Sequence, residues 1–430
     1  MMVCCRGCSH RWDPQVWAML RASYLMGVMT AIAQGAIFDA YLLVLAGGSN
    51  TFVGTVESIR GMAALAAAVP LGWAADRWPK PRVLQYNAAF AVISAVPLAI
   101  GIARNVVWLV ILGSVGLSLH NQCYNGGVPA LLADLTAPGQ ERTAAVGAMN
   151  SLRNLGQASG PLLQLMLTLV LGTTSWTPRQ LHWIICSGLF ILVPYIAVLS
   201  PVWSGRTPRP QASAAGPALA EELRDTTGGP SREASPQASQ PLAPVQRRRW
   251  LIAVAMELAA IVMFLGSGMT FKFFPLFFKG DFGFSPTAVC LFMTVLWLMA
   301  AAGAQVAPQV AKRIGRVRTV LLTTCVAAGL LFWVASGLPA WASALTVLVR
   351  AAFSQSSMPL MLAVVLDMVP PQHRGKWSAV VSLRRTSFAV SAFIGGQLSD
   401  HHDYRYAFFV TACVQLSSCL ILFPVALLVS

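Results

Sequence analysis

Eight ionisable side chains stand inside long apolar stretches of the sequence: Asp39, Glu57, Arg60, Arg153, Lys272, Arg350, Arg384 and Arg385. A charge at bilayer depth costs about 2.5–3.5 kcal/mol or more on insertion scales, so each needs a partner, a wet cavity or a place near the interface. Two of the eight are acids and six are bases. That excess hints at an anionic solute, because a guanidinium grips carboxylate or phosphate in bidentate fashion. The two carboxylates suit a different task, taking up and releasing protons, and make Asp39 and Glu57 the candidates for coupling. Glu57 and Arg60 are three residues apart and share a helix face, so mutual neutralisation is an equally good reading; Asp39 has the same alternative in a pair with Arg60. Lys272, set among Phe271, Phe273 and Phe274, reads as a snorkelling side chain near a membrane surface, as do Glu257 and Arg21.

Neutral polar residues accompany these charges. Gln34 precedes Asp39 by little more than a turn. His120-Asn121-Gln122 and Tyr124-Asn125-Gly126-Gly127, followed by Pro129, form a polar run inside an apolar stretch. Such a run suits either a loosened helix whose amides face a cavity or a tight, hydrogen-bonded helix crossing. Asn121 and Asn125 fall on one face by their i, i+4 spacing. Gln355 follows Arg350 by about a turn and a half. Candidate solute-binding residues are therefore Gln34, Asp39, Asn121, Gln122, Asn125, Arg153, Arg350, Gln355 and Arg384. His120 has no second histidine at ligand spacing, and no His-Glu-x-x-His helix occurs, so metal-dependent chemistry has no support. No nucleotide-binding loop is present either, and no cofactor is expected.

Helices must hold these groups. The chain has 430 residues, 56% hydrophobic and 10% charged, against roughly 25% charged in soluble domains. Apolar runs near the length of about 20 residues needed to cross a bilayer recur at 17–46, 51–75, 83–102, 106–135, 142–171, 181–200, 250–278, 284–311, 317–337, 340–368, 375–399 and 404–429. In hydrocarbon every backbone polar group must be paired internally, and runs this long and apolar exclude alternating barrel strands. The expected fold is an all-α membrane protein of about twelve transmembrane helices in two pseudo-symmetric six-helix bundles. Segment 1–16 precedes a bundle at 17–203. Residues 204–248, rich in Pro, Ala, Ser, Gln and charge, form a disordered linker, and 249–430 form the second bundle.

A net charge of +15 would suggest nucleic acid in a soluble protein, but its distribution explains it otherwise. Loops on the side of the N-terminus hold nineteen basic residues and the opposite loops four. The positive-inside rule then makes both termini and the linker cytoplasmic, with an even number of spans. Six of the nine cysteines lie within spans as small packing residues. Cys4, Cys5 and Cys8 cluster beside Arg6, and palmitoylation and incidental occurrence both stand.

The two bundles share landmarks. Asp76 to Arg82 matches Lys312 to Arg318, 236 residues on; Asp134 and Arg142 match Asp367 and Arg374, 233 and 232 on; Ser151-Leu152-Arg153 matches Ser382-Leu383-Arg384, 231 on. Such near-constant offsets are what a parallel internal repeat predicts.

Gly72-Trp73-Ala74-Ala75-Asp76-Arg77-Trp78-Pro79-Lys80-Pro81-Arg82 resembles the loop signature of the major facilitator superfamily, with Pro79 in place of the usual glycine. Gly395-Gly396-Gln397-Leu398-Ser399-Asp400, followed by Tyr404-Arg405-Tyr406-Ala407-Phe408, is similar to the junction of spans 11 and 12 in many members. The resemblance implies two six-helix bundles rocking about a central cavity lined by spans 1, 4, 7 and 10. It assigns gating to Gly72, Asp76, Arg77, Arg82 and Arg142, with Asp76 beside the start of span 11 near Gly375 and Arg142 as its partner. Read without the resemblance, the same charges anchor topology. The implied function is secondary active transport of a small polar or anionic solute, coupled to protons through Asp39 or Glu57. Export of amphipathic organic cations or drugs is a second reading, and a non-transporting receptor or scaffold is a third. The partners are the solute, protons and membrane lipids, with no nucleic acid, and a monomer suffices. Which membrane holds the chain is not legible.

Overall fold

The computed structural model describes residues 12–136, 140–172, 176–204, 244–368 and 374–428. Among these residues the regular structure is entirely helical, in fifteen segments. The first half contains α1 (Pro14–Ala33), α2 (Ala36–Leu45), α3 (Asn50–Arg77), α4 (Lys80–Arg104), α5 (Val107–Leu135), α6 (Gln140–Val170), α7 (Pro178–Phe190) and α8 (Leu192–Ser204). The second contains α9 (Pro244–Phe271), α10 (Phe274–Phe282), α11 (Pro286–Ile314), α12 (Arg316–Ala335), α13 (Ala340–Met368), α14 (Arg374–His401) and α15 (Tyr404–Leu428). The pairs α1/α2, α7/α8 and α9/α10 are broken single spans, which leaves twelve spans, six in each half. Residues 205–243 of the expected linker, and Cys4, Cys5 and Cys8, lie outside the described residues.

By length and composition, seven of the spans are apolar enough to cross a membrane when the described residues alone are considered.

Glycines set the closest crossings, and they do so twice in the same way. In the first half a Cβ on Gly27 would strike the carbonyl oxygen of Arg153, and one on Gly156 would strike that of Tyr24, so spans 1 and 5 cross backbone to backbone. In the second half Gly268 meets the Phe388 carbonyl and Gly395 the Met269 carbonyl, which joins spans 7 and 11 by the same device. Small residues permit such approach, and close van der Waals packing drives helix association in lipid. Spans 3 and 4 pair in one half as 9 and 10 pair in the other. The internal repeat read from short charged motifs is thus also a repeat of packing.

The halves meet along α3 against α14 and along α6 against α11. Both chain-terminal spans, starting at Pro14 and ending at Leu428, have those ends on one side of the bundle, here the near end. Polar links between the halves gather toward the opposite, far end. There Gly54 packs on the backbone of Ala392 and Phe393, Gly396 packs on Asn50, and Ser58 Oγ donates to the carbonyl of Ala389 at 2.8 Å. Trp176 Nε1 donates to the carbonyl of Phe284 at 3.0 Å across the same seam.

Candidate functional site

Between the halves lies a cavity of about 670 Å³, within the range typical of small-molecule sites. Its two walls differ. The first half contributes the amides of Asn121, Gln122, Asn125 and Gln157 together with Arg153 and the Glu57–Arg60 pair. The second half contributes Arg350, Gln355, Arg385 and Gln415 together with the rings of Phe271, Phe274, Trp297 and Phe388.

Arg153 is held by the polar run of α5. Its Nη2 donates to Asn121 Oδ1 at 2.8 Å and its Nη1 donates to Asn125 Oδ1. Asn125 Nδ2 in turn donates to Asn121 Oδ1 at 3.1 Å, an i, i+4 bond that fixes both amides on one face. Two acceptors thus orient the guanidinium without neutralising it. Arg350, only 5% exposed, donates through Nη2 to Gln415 Oε1 at 3.1 Å and lies 5.6 Å from the ring centroid of Phe274. Its buried Nε has no hydrogen-bond partner.

At the far side of the cavity an ionic cluster joins the halves. Arg60 donates through Nη1 to Glu57 at 2.7 Å, through Nη2 to Gln34 Oε1 at 2.7 Å, and through Nε to Ser118 Oγ at 2.9 Å. Lys272 reaches across from the second half, with Nζ 3.2 Å from Asp39 and 3.5 Å from Glu57. Helix breaks make this reach practicable. Gln34 caps the end of α1, where helix carbonyls lack intrahelical partners, and its carbonyl accepts from Lys272 Nζ at 3.3 Å. Lys272 itself lies in the break between α9 and α10, just ahead of Pro275, which has no N–H to continue the ladder. The snorkelling expected of Lys272 is therefore corrected. It is an inter-half ion-pair partner, and it takes the place beside Asp39 that one of the alternative readings gave to Arg60.

A family model described as the Major Facilitator Superfamily matches residues 18–383 and 256–429. The chain belongs to that superfamily. Its members are transporters and not enzymes, as is this chain. No curated protein matches it in sequence. Among solved structures it is similar to a D-xylose-proton symporter, with a TM-score of 0.73 at 14% identity, covering 95% of this chain and 97% of that one. It is also similar to a bacterial homologue of the iron transporter ferroportin in an inward-facing state, with a TM-score of 0.69 at 16% identity and 96% and 98% coverage. A POT family transporter in complex with a thioalcohol-conjugated peptide gives a TM-score of 0.71 at 11% identity, with 97% and 96% coverage. At these identities the likeness concerns the fold.

Within this superfamily fold, the residues of the loop signature occupy the near end. Arg77 stacks over Trp73, with its guanidinium carbon 4.7 Å from the ring centroid, and Arg82 is exposed. The side chains of Asp76 and Arg142, and the surroundings of Gly72 and Gly375, lie outside what is described. Of the solute-binding candidates, Asn121, Gln122, Asn125, Arg153, Arg350 and Gln355 share the cavity, while Gln34 and Asp39 sit behind it in the ionic cluster. Arg384 departs from expectation. It donates to Glu257 through Nε at 2.6 Å and through Nη2, fully buried, and its neighbour Arg385 lines the cavity instead. Glu257 is equally buried and does not snorkel. His120 is also away from the cavity, with Nδ1 3.0 Å from the Asn87 carbonyl and its ring edge-on to Tyr195. The residue-type reading passed over Gln415, although a lone glutamine in the apolar α15 was a usable signal.

It also passed over the far-end latch. Asp400, just past the expected end of span 11, accepts from the backbone N–H of Asn50 at 2.8 Å and of Thr51 at 2.7 Å, and from Ser49 Oγ at 3.1 Å. It thereby caps the N-terminus of α3 from the other half, where the helix dipole favours negative charge. Partial burial raises the Asp400 pKa, but the hydrogen bonds from Thr51 and Asn50 outweigh it and hold the carboxyl below its ordinary value. A depressed carboxylate stabilises the latched state fully above its free value and loses that contribution as pH falls through the lowered one. Asp400→Asn should therefore loosen the far end at neutral pH. Spin labels at Ala46→Cys and His402→Cys should report longer separations in that variant, and in the parent only on acidification. Identical distance distributions would mean that the latch contributes nothing.

Proposed function

We propose that this protein moves a small polar or anionic solute across a membrane by alternating access, with protons coupled through Asp39 and Glu57. The observation that carries the reading is a cavity between two repeat-related halves, with positive side chains on both walls and, among the described residues, a polar, glycine-tight seal toward the far end of the inter-half seam. Buried charges that bridge the halves suit such a machine, because the two arrangements of the seam differ in which charges are paired. Protonating Asp39 or Glu57 removes the negative charge facing Lys272 and weakens the seal; deprotonation restores it.

With both termini and the linker cytoplasmic, as the basic loops require, the sealed far end faces the opposite compartment and the cavity faces the cytoplasm. The D-xylose-proton symporter among its fold neighbours is compatible with proton coupling. A single chain contains the whole cavity, so the monomer is the working unit. Asp39 is engaged by Lys272, which removes the free negative charge that an exporter of amphipathic cations would require.

The test is uptake by the purified full-length chain in proteoliposomes, using organic anions, sugars, amino acids and amphipathic cations with and without a pH gradient. Saturable uptake of an anion that rises with the gradient is expected. Absence of saturable flux for every class would favour a receptor or scaffold, and saturable flux of cations alone would favour the exporter.

A further inference from the structure

Charge pairing in the interior leaves a defined remainder. The buried acids Asp39, Glu57 and Glu257 are matched by Lys272, Arg60 and Arg384. Arg153, Arg350 and Arg385 line the cavity, and none of the ion pairs among the described residues includes them. Arg153 has both oriented nitrogens occupied by amide oxygens. Arg350 differs: it is buried, its Nε lacks any partner, and its one hydrogen bond goes to Gln415, which Ser267 shares at 3.2 Å from Gln415 Nε2. A buried, incompletely satisfied guanidinium in a cavity wall has donor capacity that a carboxylate can use.

One ring lies against that arginine, and others line the same cavity. Phe274 lies under the guanidinium. Phe271 stands edge-on to Trp297 with centroids 5.8 Å apart and tilted against Phe388 at 6.2 Å, so three helices of the second half contribute one continuous ring surface to the cavity. Flat rings pack on such walls in offset or edge-to-face arrangements, and a saturated polar solute such as a sugar would leave most of this surface unused. The facing amides of the first half can bond polar substituents on the far edge of the same molecule.

Resting on the transport reading above, we infer that the solute is an organic anion with a planar aromatic or heteroaromatic body, its carboxylate held by Arg350 and its ring lying against Phe271, Trp297 and Phe388. The charge and the ring are recognised by the same half, and the first half reads the remaining polar edge.

Isothermal titration of the purified full-length chain with four probes tests this: benzoate, benzamide, cyclohexanecarboxylate and acetate. Benzoate should bind at least tenfold more tightly than each of the other three. Arg350→Gln should remove the preference for benzoate over benzamide, and Trp297→Leu should reduce the preference for benzoate over cyclohexanecarboxylate severalfold while keeping that over benzamide. Trp297→Leu leaves every charge in place and keeps the ring half of the inference testable if Arg350→Gln does not fold. No binding of benzoate, equal binding of acetate, or an Arg350→Gln protein with an unchanged benzoate-to-benzamide ratio would overturn it. Failure of the transport reading is separable. Arginine-dependent benzoate binding without flux would leave the site and remove transport, whereas saturable flux of a non-aromatic solute, with no benzoate binding, would do the reverse.

Discussion

Glu257→Gln is expected to lower the thermal stability of the detergent-solubilised protein far more than any other single amide-for-acid change in the chain. Glu257 and Arg384 are 2% and 5% exposed, and the guanidinium meets the carboxylate through two nitrogens. This is the fork geometry in which arginine and carboxylate bind most strongly. Removing one member of a buried pair costs about 3–5 kcal/mol, because the survivor keeps its charge without a partner and without water. Removing both members costs much less, since the desolvation of both disappears with them. Glu257→Leu/Arg384→Met should therefore melt close to the parent while Glu257→Gln melts well below it. If the single and double variants melt together, the pair has no structural role. Span 7 and span 11 are the two helices so joined, and span 11 also carries Arg385 into the cavity, so the single variant should also weaken solute binding indirectly.

The second large effect concerns the seam. Asp39→Asn changes the ionic cluster of Asp39, Glu57, Arg60 and Lys272 from neutral to positive while leaving its volume almost unaltered. Asp39 is 4% exposed and faces Lys272 across the halves, so the loss approaches the lower end of the ~3–5 kcal/mol seen on breaking buried pairs. Because about 1.4 kcal/mol is a factor of ten, the population sealed at the far end should fall by roughly two decades. Uptake driven by a pH gradient should be abolished, whereas exchange of solute without a gradient should persist at a reduced rate. Asp39→Asn/Lys272→Gln restores neutrality and should recover the sealed state, read by spin-label distances across the far end, without recovering the response to pH. Gradient-driven uptake at the parental rate in Asp39→Asn would exclude that carboxylate from coupling. Parental distances in both variants would exclude the cluster from sealing.

Much of this architecture could be read from residue types alone. Hydropathy placed twelve spans within a few residues of the helices observed, because the bilayer demands that apolar runs and backbone pairing coincide. Asn121 and Asn125 were rightly put on one face, since i, i+4 spacing is a property of the helix itself. Lys272 shows where this stops. Its neighbours in sequence are phenylalanines, and nothing within a turn of it signals that Asp39 and Glu57 lie opposite. The helix breaks at Gln34–Gly35 and Lys272–Phe273, which bring these groups within reach, were not expected either.

The amino-acid sequence by itself determined that the chain is a duplicated bundle of membrane helices and which ionisable groups fall within its apolar runs, because a charge in such a run is visible one residue at a time. Tertiary structure decided how those charges are matched: Asp39 with Lys272 and Glu257 with Arg384 inside the bundle, and Asp400 with the start of α3 at its far end. Among the described residues, Arg153, Arg350 and Arg385 were left to face the cavity without a carboxylate. The partners are 233, 127 and 350 residues apart. Their meeting depends on which helices are neighbours and how each is rotated about its axis, and hydropathy along a single helix carries neither quantity.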